Sequence, residues 1–207
     1  MQNQDQNSLT LSAEEVHYMM RDAVEEKKLF LVKMLLRAGA NVNARPEYED
    51  GEVDNTYLKY AVMNDHPEMV KTLIEAGAEV NSAPSEGEDG LYRLSSPLMV
   101  AVDMIHINLE SVETVRLLLE AGADVEAVGT DGNNVYDMIL VHQAEEEDGF
   151  RVPRRGRRRS RRRREEIKQL IYLNRLQRYQ DRTGLALLQR RQNLPSDVYN
   201  FDINPFL

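Results

Sequence analysis

Nine arginines fall within the eleven residues 154–164, at Arg154, Arg155, Arg157, Arg158, Arg159, Arg161, Arg162, Arg163 and Arg164. A block this dense suits charge contact with nucleic-acid phosphates, a nuclear-import patch, or pairing with acidic groups. No aromatic side chain is interleaved to stack on bases. Ser160, set among arginines, suits a basophilic kinase, whose phosphate would cut the local charge by ~2. So many like charges in a row predict a segment that is disordered when free.

The remaining residue types that do chemistry do not converge. His17, His66, His106 and His142 stand at unlike positions and form no metal-spaced pair. The serines lack the Gly-x-Ser-x-Gly elbow, no glycine-rich phosphate loop is present, and there is no cysteine. Glu86 and Glu88 are close together, but in a loop-like stretch too solvated to hold a raised pKa. The expectation is a non-enzymatic chain without cofactor or metal.

Charge is divided unevenly along the chain. Residues 1–150 carry 10 basic against 30 acidic side chains, a net of −20, and residues 151–207 carry 16 against 5, a net of +11. An acidic body with a basic insert points to electrostatic partners, or to contact between the two halves. The first eight residues have neither the basic start nor the apolar core of a signal peptide. The longest apolar stretch, 29–36, is interrupted by Lys33 and is too short to span a bilayer. These features predict a soluble, cytoplasmic monomer with no membrane contact, and the arginine tract leaves nuclear placement open.

What must position these residues is a segment that occurs three times, at 32–43, 70–81 and 115–126. Each copy reads as the second half of an amphipathic helix, then a glycine (Gly39, Gly77, Gly122), then a short extended stretch. Aligned on the glycines, Ala23, Ala61 and Ala101 fall into register, as do Met20, Leu58 and Leu98. Val32, Val70 and Val115 are followed three residues later by Leu35, Leu73 and Leu118. Small residues let two helices approach and the leucines fill the layer between them. The glycine suits a left-handed helix end. Each unit is predicted to be helix, turn, helix and an extended finger, in an all-α solenoid.

The stretch 56–81 resembles an ankyrin repeat over nearly its full length, and Ser96-Pro97-Leu98-Met99-Val100-Ala101 is similar to that family's Thr-Pro-Leu-His-x-Ala opening. Ser96 suits the helix cap and Pro97 its first turn, a cap worth ~1 kcal/mol. The resemblance covers roughly 12–142. Tyr57 departs from the family's proline and Asp65 from its glycine, and the third unit has five extra residues between Ala101 and Val115. His66 stands where the family pattern places a structural histidine, bonded to a neighbouring loop.

The domain expectation is a disordered 1–11, then repeats at about 12–43, 44–81 and 82–126, with the first helix of a fourth from 127. An acidic, then arginine-rich, disordered insertion comes next at 143–164. Residues 165–207 supply the second helix of the fourth repeat and a capping helix and tail. Ile167 is placed on Val70 and Leu170 on Leu73. Val135, Tyr136 and Ile139 are placed inward on the fourth unit's first helix.

The resemblance implies a protein-interaction module that binds through its concave face and fingers. Both long fingers are acidic, with Glu47, Glu49, Asp50, Glu52 and Asp54 in one and Glu86, Glu88 and Asp89 in the other. A basic protein partner is the match. By position, the candidate contact residues are Arg45, Tyr48, Glu49, Asp50, Glu86, Asp89, Tyr92 and Arg93, with Tyr57 and Met99 at the helix entries. Tyrosine and arginine are the types most often energetically important at interfaces. Two other readings attach to the carboxy-terminal half. Residues 193–198 look faintly like the opening of an F-box, a ubiquitin-ligase recruiting module, and the arginine tract suits a nuclear or nucleic-acid-associated regulator.

Overall fold

The computed structural model describes residues 11–45, 55–82, 96–106, 112–129, 132–147 and 157–182. Within them lie eight helices: α1 (Ala13–Glu25), α2 (Leu29–Arg37), α3 (Tyr57–Met63), α4 (Pro67–Glu75), α5 (Pro97–His106), α6 (Val112–Glu120), α7 (Val135–Glu147) and α8 (Arg157–Arg182). They pair in order as four units. First helices stack α1 on α3, α3 on α5 and α5 on α7, while second helices stack α2 on α4, α4 on α6 and α6 on α8. No strand occurs among the described residues, so the stems of the fingers are turns.

Local chemistry starts several of the helices. Ser12 and Glu15 form a reciprocal capping box at α1, with Ser12 Oγ accepting from Glu15 N at 3.1 Å and Glu15 Oε2 accepting from Ser12 N at 2.7 Å. Thr56 accepts from Lys59 N at 3.2 Å, and Ser96, the expected cap, accepts from Met99 N at 3.3 Å. His66 is structural, but it caps its own helix: its Nδ1 accepts from Met69 N at 3.2 Å, ahead of Pro67 in the first turn of α4.

The second helices of the first three units end alike. Gly39, Gly77 and Gly122 have φ of +94°, +89° and +91°. The following alanine N–H groups return to Leu35, Leu73 and Leu118, for instance Ala78 N to the Leu73 carbonyl at 3.0 Å. This is the left-handed helix stop that closes the orphan carbonyls of the last turn. The turn between paired helices also needs a left-handed residue. Asp65, at φ 46°, fills it in the second unit and Lys27, at φ 59°, in the first.

The core is one continuous layer between the two helix rows. The repeated alanines, the Met20/Leu58/Leu98 set and the valine and leucine sets are all buried in it. In the fourth unit Val135 and Ile139 join it, and Tyr136 is half-buried. Ile167 is buried as expected, but the placement of Leu170 needs correction. Leu170 is only partly buried and Ile171 takes the core position. Lys168 stands where Lys33, Lys71 and Arg116 stand in the other units, but here it is buried, so α8 is turned about its axis relative to the other second helices.

Two boundaries also shift. The expected disordered insertion at 143–164 is helical at both ends: α7 runs on to Glu147 and α8 begins at Arg157. The insertion between the paired helices is thus confined to 148–156, outside the described residues. In the third unit part of the extra length goes into α5, ten residues against seven in α3. The expected disordered start and the tail with its F-box-like stretch fall, except for Leu11 and the helix up to Arg182, outside the described residues.

Glycine stops and non-glycine turns should respond in opposite senses. A Cβ at Gly77 meets nothing within 4 Å, so Gly77→Ala costs only backbone strain, about 1–2 kcal/mol. Lys27→Gly relieves the same strain and should gain about 0.5–1 kcal/mol after the entropy of glycine is set against it. Urea unfolding of the two variants should move the midpoints in opposite directions.

Candidate protein-interaction surface

The finger stems are tied to one another by a ladder of asparagines. Asn43 donates from Nδ2 to the Gly77 carbonyl at 3.0 Å and accepts at Oδ1 from Glu79 N at 2.9 Å. Asn81 repeats this one unit on, donating to the Gly122 carbonyl at 3.0 Å and accepting from Asp124 N at 2.7 Å. One side chain satisfies a donor and an acceptor of the next stem, which fixes the spacing between stems. The acidic segments 46–54 and 83–95, outside the described residues, follow Asn43 and Asn81 within a few residues in sequence.

At the third stem the ladder residue is Glu126, and α8 takes over. Arg175 Nε lies 2.8 Å from Glu126 Oε1. Arg178 donates to the Ala123 carbonyl and lies 3.4 Å from Asp124 Oδ1, while Asn174 Nδ2 donates to the Leu119 carbonyl at 3.2 Å. The Arg175 guanidinium also sits 5.3 Å from the Tyr136 ring centroid, and Tyr136 OH donates to the Ile171 carbonyl at 3.3 Å. Burial, the largest influence, pushes the Tyr136 phenol up, opposed by the Arg175 cation.

Few of the expected contact residues fall on described structure. Arg45 is half-buried at the first stem, with Nη2 3.9 Å from Oε2 of the exposed Glu79, a partly solvated pair of small energetic worth. Tyr48, Glu49, Asp50, Glu86, Asp89, Tyr92 and Arg93 lie outside the described residues. Tyr57 and Met99 must be removed from the surface. Tyr57 is 1% exposed, with its OH hydrogen-bonded to His17 Nδ1 of the neighbouring unit, and Met99 is 2% exposed. Both sit in the first turn of a first helix, and Tyr57 faces α1, the preceding helix in the row. In the basic tract Arg161 and Arg162 are exposed, Arg163 is half-buried and Arg164 is 6% exposed, while Arg157, Arg158 and Arg159 occupy the first turn of α8. Arg154 and Arg155 lie outside the described residues.

Lys59 was not singled out by sequence reasoning. It is 2% exposed in the first turn of α3, where burial, with repulsion from the Arg45 cation as a second cause, pulls its pKa from 10.5 to about 8. A lysine between Leu58 and Tyr60 carries no pattern signal, since its burial comes from the units on either side.

Among the described residues no cluster of His, Cys, Asp or Glu is arranged to hold a metal, and no helix is long and apolar enough to cross a membrane. The stacked helix pairs, left-handed stops and tied fingers define a helical-repeat solenoid. A family model for ankyrin repeats in three copies matches residues 20–129, more than half of the chain. The chain belongs to the ankyrin-repeat family, whose repeats are protein-interaction scaffolds. Many solved chains are similar to it, including the human ASB11 ankyrin repeat domain, at 20% identity over 75% of this chain with a TM-score of 0.47. The chain spans 52% of that structure. No curated protein sequence matches.

The Lys59 shift sets a pH response. The folded state holds this group near 8 and the unfolded chain near 10.5, so folding favours the neutral amine. The penalty on the folded state is complete below pH 8 and is relieved as pH rises from 8 to 10.5. Lys59→Met is expected to raise unfolding stability by roughly 1–3 kcal/mol at pH 7. That advantage over the parent chain should shrink when both are measured at pH 10.

Proposed function

We infer that this chain binds a basic protein partner along its fingered edge, without catalysing a reaction. The observation that carries the reading is the placement of charge. Two acidic segments adjoin in sequence the stems that Asn43 and Asn81 hold side by side, and the exposed Glu79 and part-exposed Asp124 place further carboxylates on those stems. Carboxylates clustered on a fixed frame raise the encounter rate with cations and disfavour acidic competitors. Arg45, Tyr48, Tyr92 and Arg93 lie on or beside the same loops and would supply the contacts that fix orientation. The buried Tyr57 and Met99 act by holding the frame.

Selection of peptides from a random display library against the whole chain provides the test. Recovered ligands should be rich in Lys and Arg. The combined variant Glu49→Gln, Asp50→Asn, Glu86→Gln, Asp89→Asn should bind them at least ten-fold more weakly, with a shallower salt dependence. Ligands without basic enrichment, or an unchanged affinity in the variant, would overturn the reading.

A further inference from the structure

The basic tract is built into the scaffold as the beginning of α8. Three contacts set the level of α8 against α6 in the third unit: Arg116 Nη2 to Glu166 Oε1 at 3.7 Å, Asn174 to the Leu119 carbonyl, and Arg178 to the Ala123 carbonyl. By this register Val112, the first residue of α6, is level with residues 162–167. Residues 157–161 therefore run at least about 7 Å, more than one turn, past the start of α6. The basic segment is a helical extension held at its base by the core residues Ile167 and Ile171.

At 100° per residue, the buried positions 164, 167, 168 and 171 cluster on one side of α8. Arg158, Arg159, Arg161 and Arg162 occupy about 160° of the remaining arc, the last two with exposed side chains. The band ends abruptly one turn later at Glu165 and Glu166, which pair with Lys168 and Arg116. Helix physics gives this band no intrinsic support. Arg157 and Arg161, Arg158 and Arg162, and Arg159 and Arg163 are like charges at i,i+4, all placed at the positive end of the helix dipole. An anion laid along the band removes both penalties.

We propose that the first two turns of α8 bind the phosphate backbone of a nucleic-acid duplex. The band has no apolar or aromatic position with which to read a folded protein surface, and its wide arc suits phosphates on two rails more than a single acidic peptide. The acidic body does not cancel it. Arg178 reaches the third stem, and Arg162 lies sixteen residues, about 24 Å, further along the helix. That is about three Debye lengths at physiological salt. α7 packs on α8, and the Arg161 and Arg162 side chains are exposed beside that contact.

The test uses the whole chain, fluorescein-labelled 20-base-pair DNA and RNA duplexes, and polyglutamate of matched charge. Four contacts predict a slope of log affinity against log salt of about −3.6, hence about a hundred-fold loss between 50 and 200 mM salt. The variant Arg158→Gln, Arg159→Gln, Arg161→Gln, Arg162→Gln keeps helix propensity, so its helicity should persist by circular dichroism while the slope falls by about 3–4. Neutralising Glu49, Asp50, Glu86 and Asp89 should leave duplex affinity unchanged or raise it, which separates this site from the fingered edge. No duplex binding at 50 mM salt, or an unchanged slope in the arginine variant, would overturn the proposal. Polyglutamate binding as tight as the duplexes would overturn it in favour of an acidic protein.

Discussion

The left-handed turn at Gly39, Gly77 and Gly122 is the constraint on which the remaining structure depends. A nine-residue helix such as α4 is too short to be stable alone in water. It becomes stable only when its apolar stripe meets its partner and its neighbours in the stack. The glycine ends each second helix at the same level and redirects the chain into a stem, so successive stems arrive within reach of one another. Asn43 and Asn81 then span them. Without a common stopping point, neither asparagine would find a carbonyl and an N–H of the next stem at bonding distance.

The fourth unit lacks that stop and closes differently. No glycine ends the helix after Ile171, and α8 continues to Arg182 beside the third stem. There Arg175 and Arg178 meet Glu126 and Asp124, replacing the asparagine ladder with charge. Both carboxylates are partly solvated, so these pairs contribute modestly to stability, and much of their effect is to orient the helix. The same uninterrupted helix carries the arginine band at its other end. Closure of the solenoid and display of the basic segment are thus two ends of one element.

The fingered edge and the basic end separate two kinds of charge in space. The acidic segments 46–54 and 83–95 adjoin the tied stems in sequence, and the basic turns lie beyond the start of α6, at the far end of the helix pairs. The scaffold is left to hold geometry, which explains why Tyr57, Lys59 and Met99 are buried even though each begins a helix near a loop.

Much of this was legible in the chain itself. A core position repeated three times in register, such as Ala23/Ala61/Ala101, leaves little freedom, because only one stacking buries every copy. The glycine stops were equally legible, since a positive φ selects residue type directly. The burial of Tyr57, Lys59 and Met99 was not legible, because side chains at those positions are covered by neighbouring units distant in sequence. Arginine composition argued for disorder at 157–164, and the tertiary structure decided otherwise. Ile167 and Ile171 anchor a helix that then propagates outward against local repulsion, since extending a helix costs far less than starting one. The one-residue offset at Ile171 has the same origin: with no glycine to fix the level of α8, packing against α6 chose it.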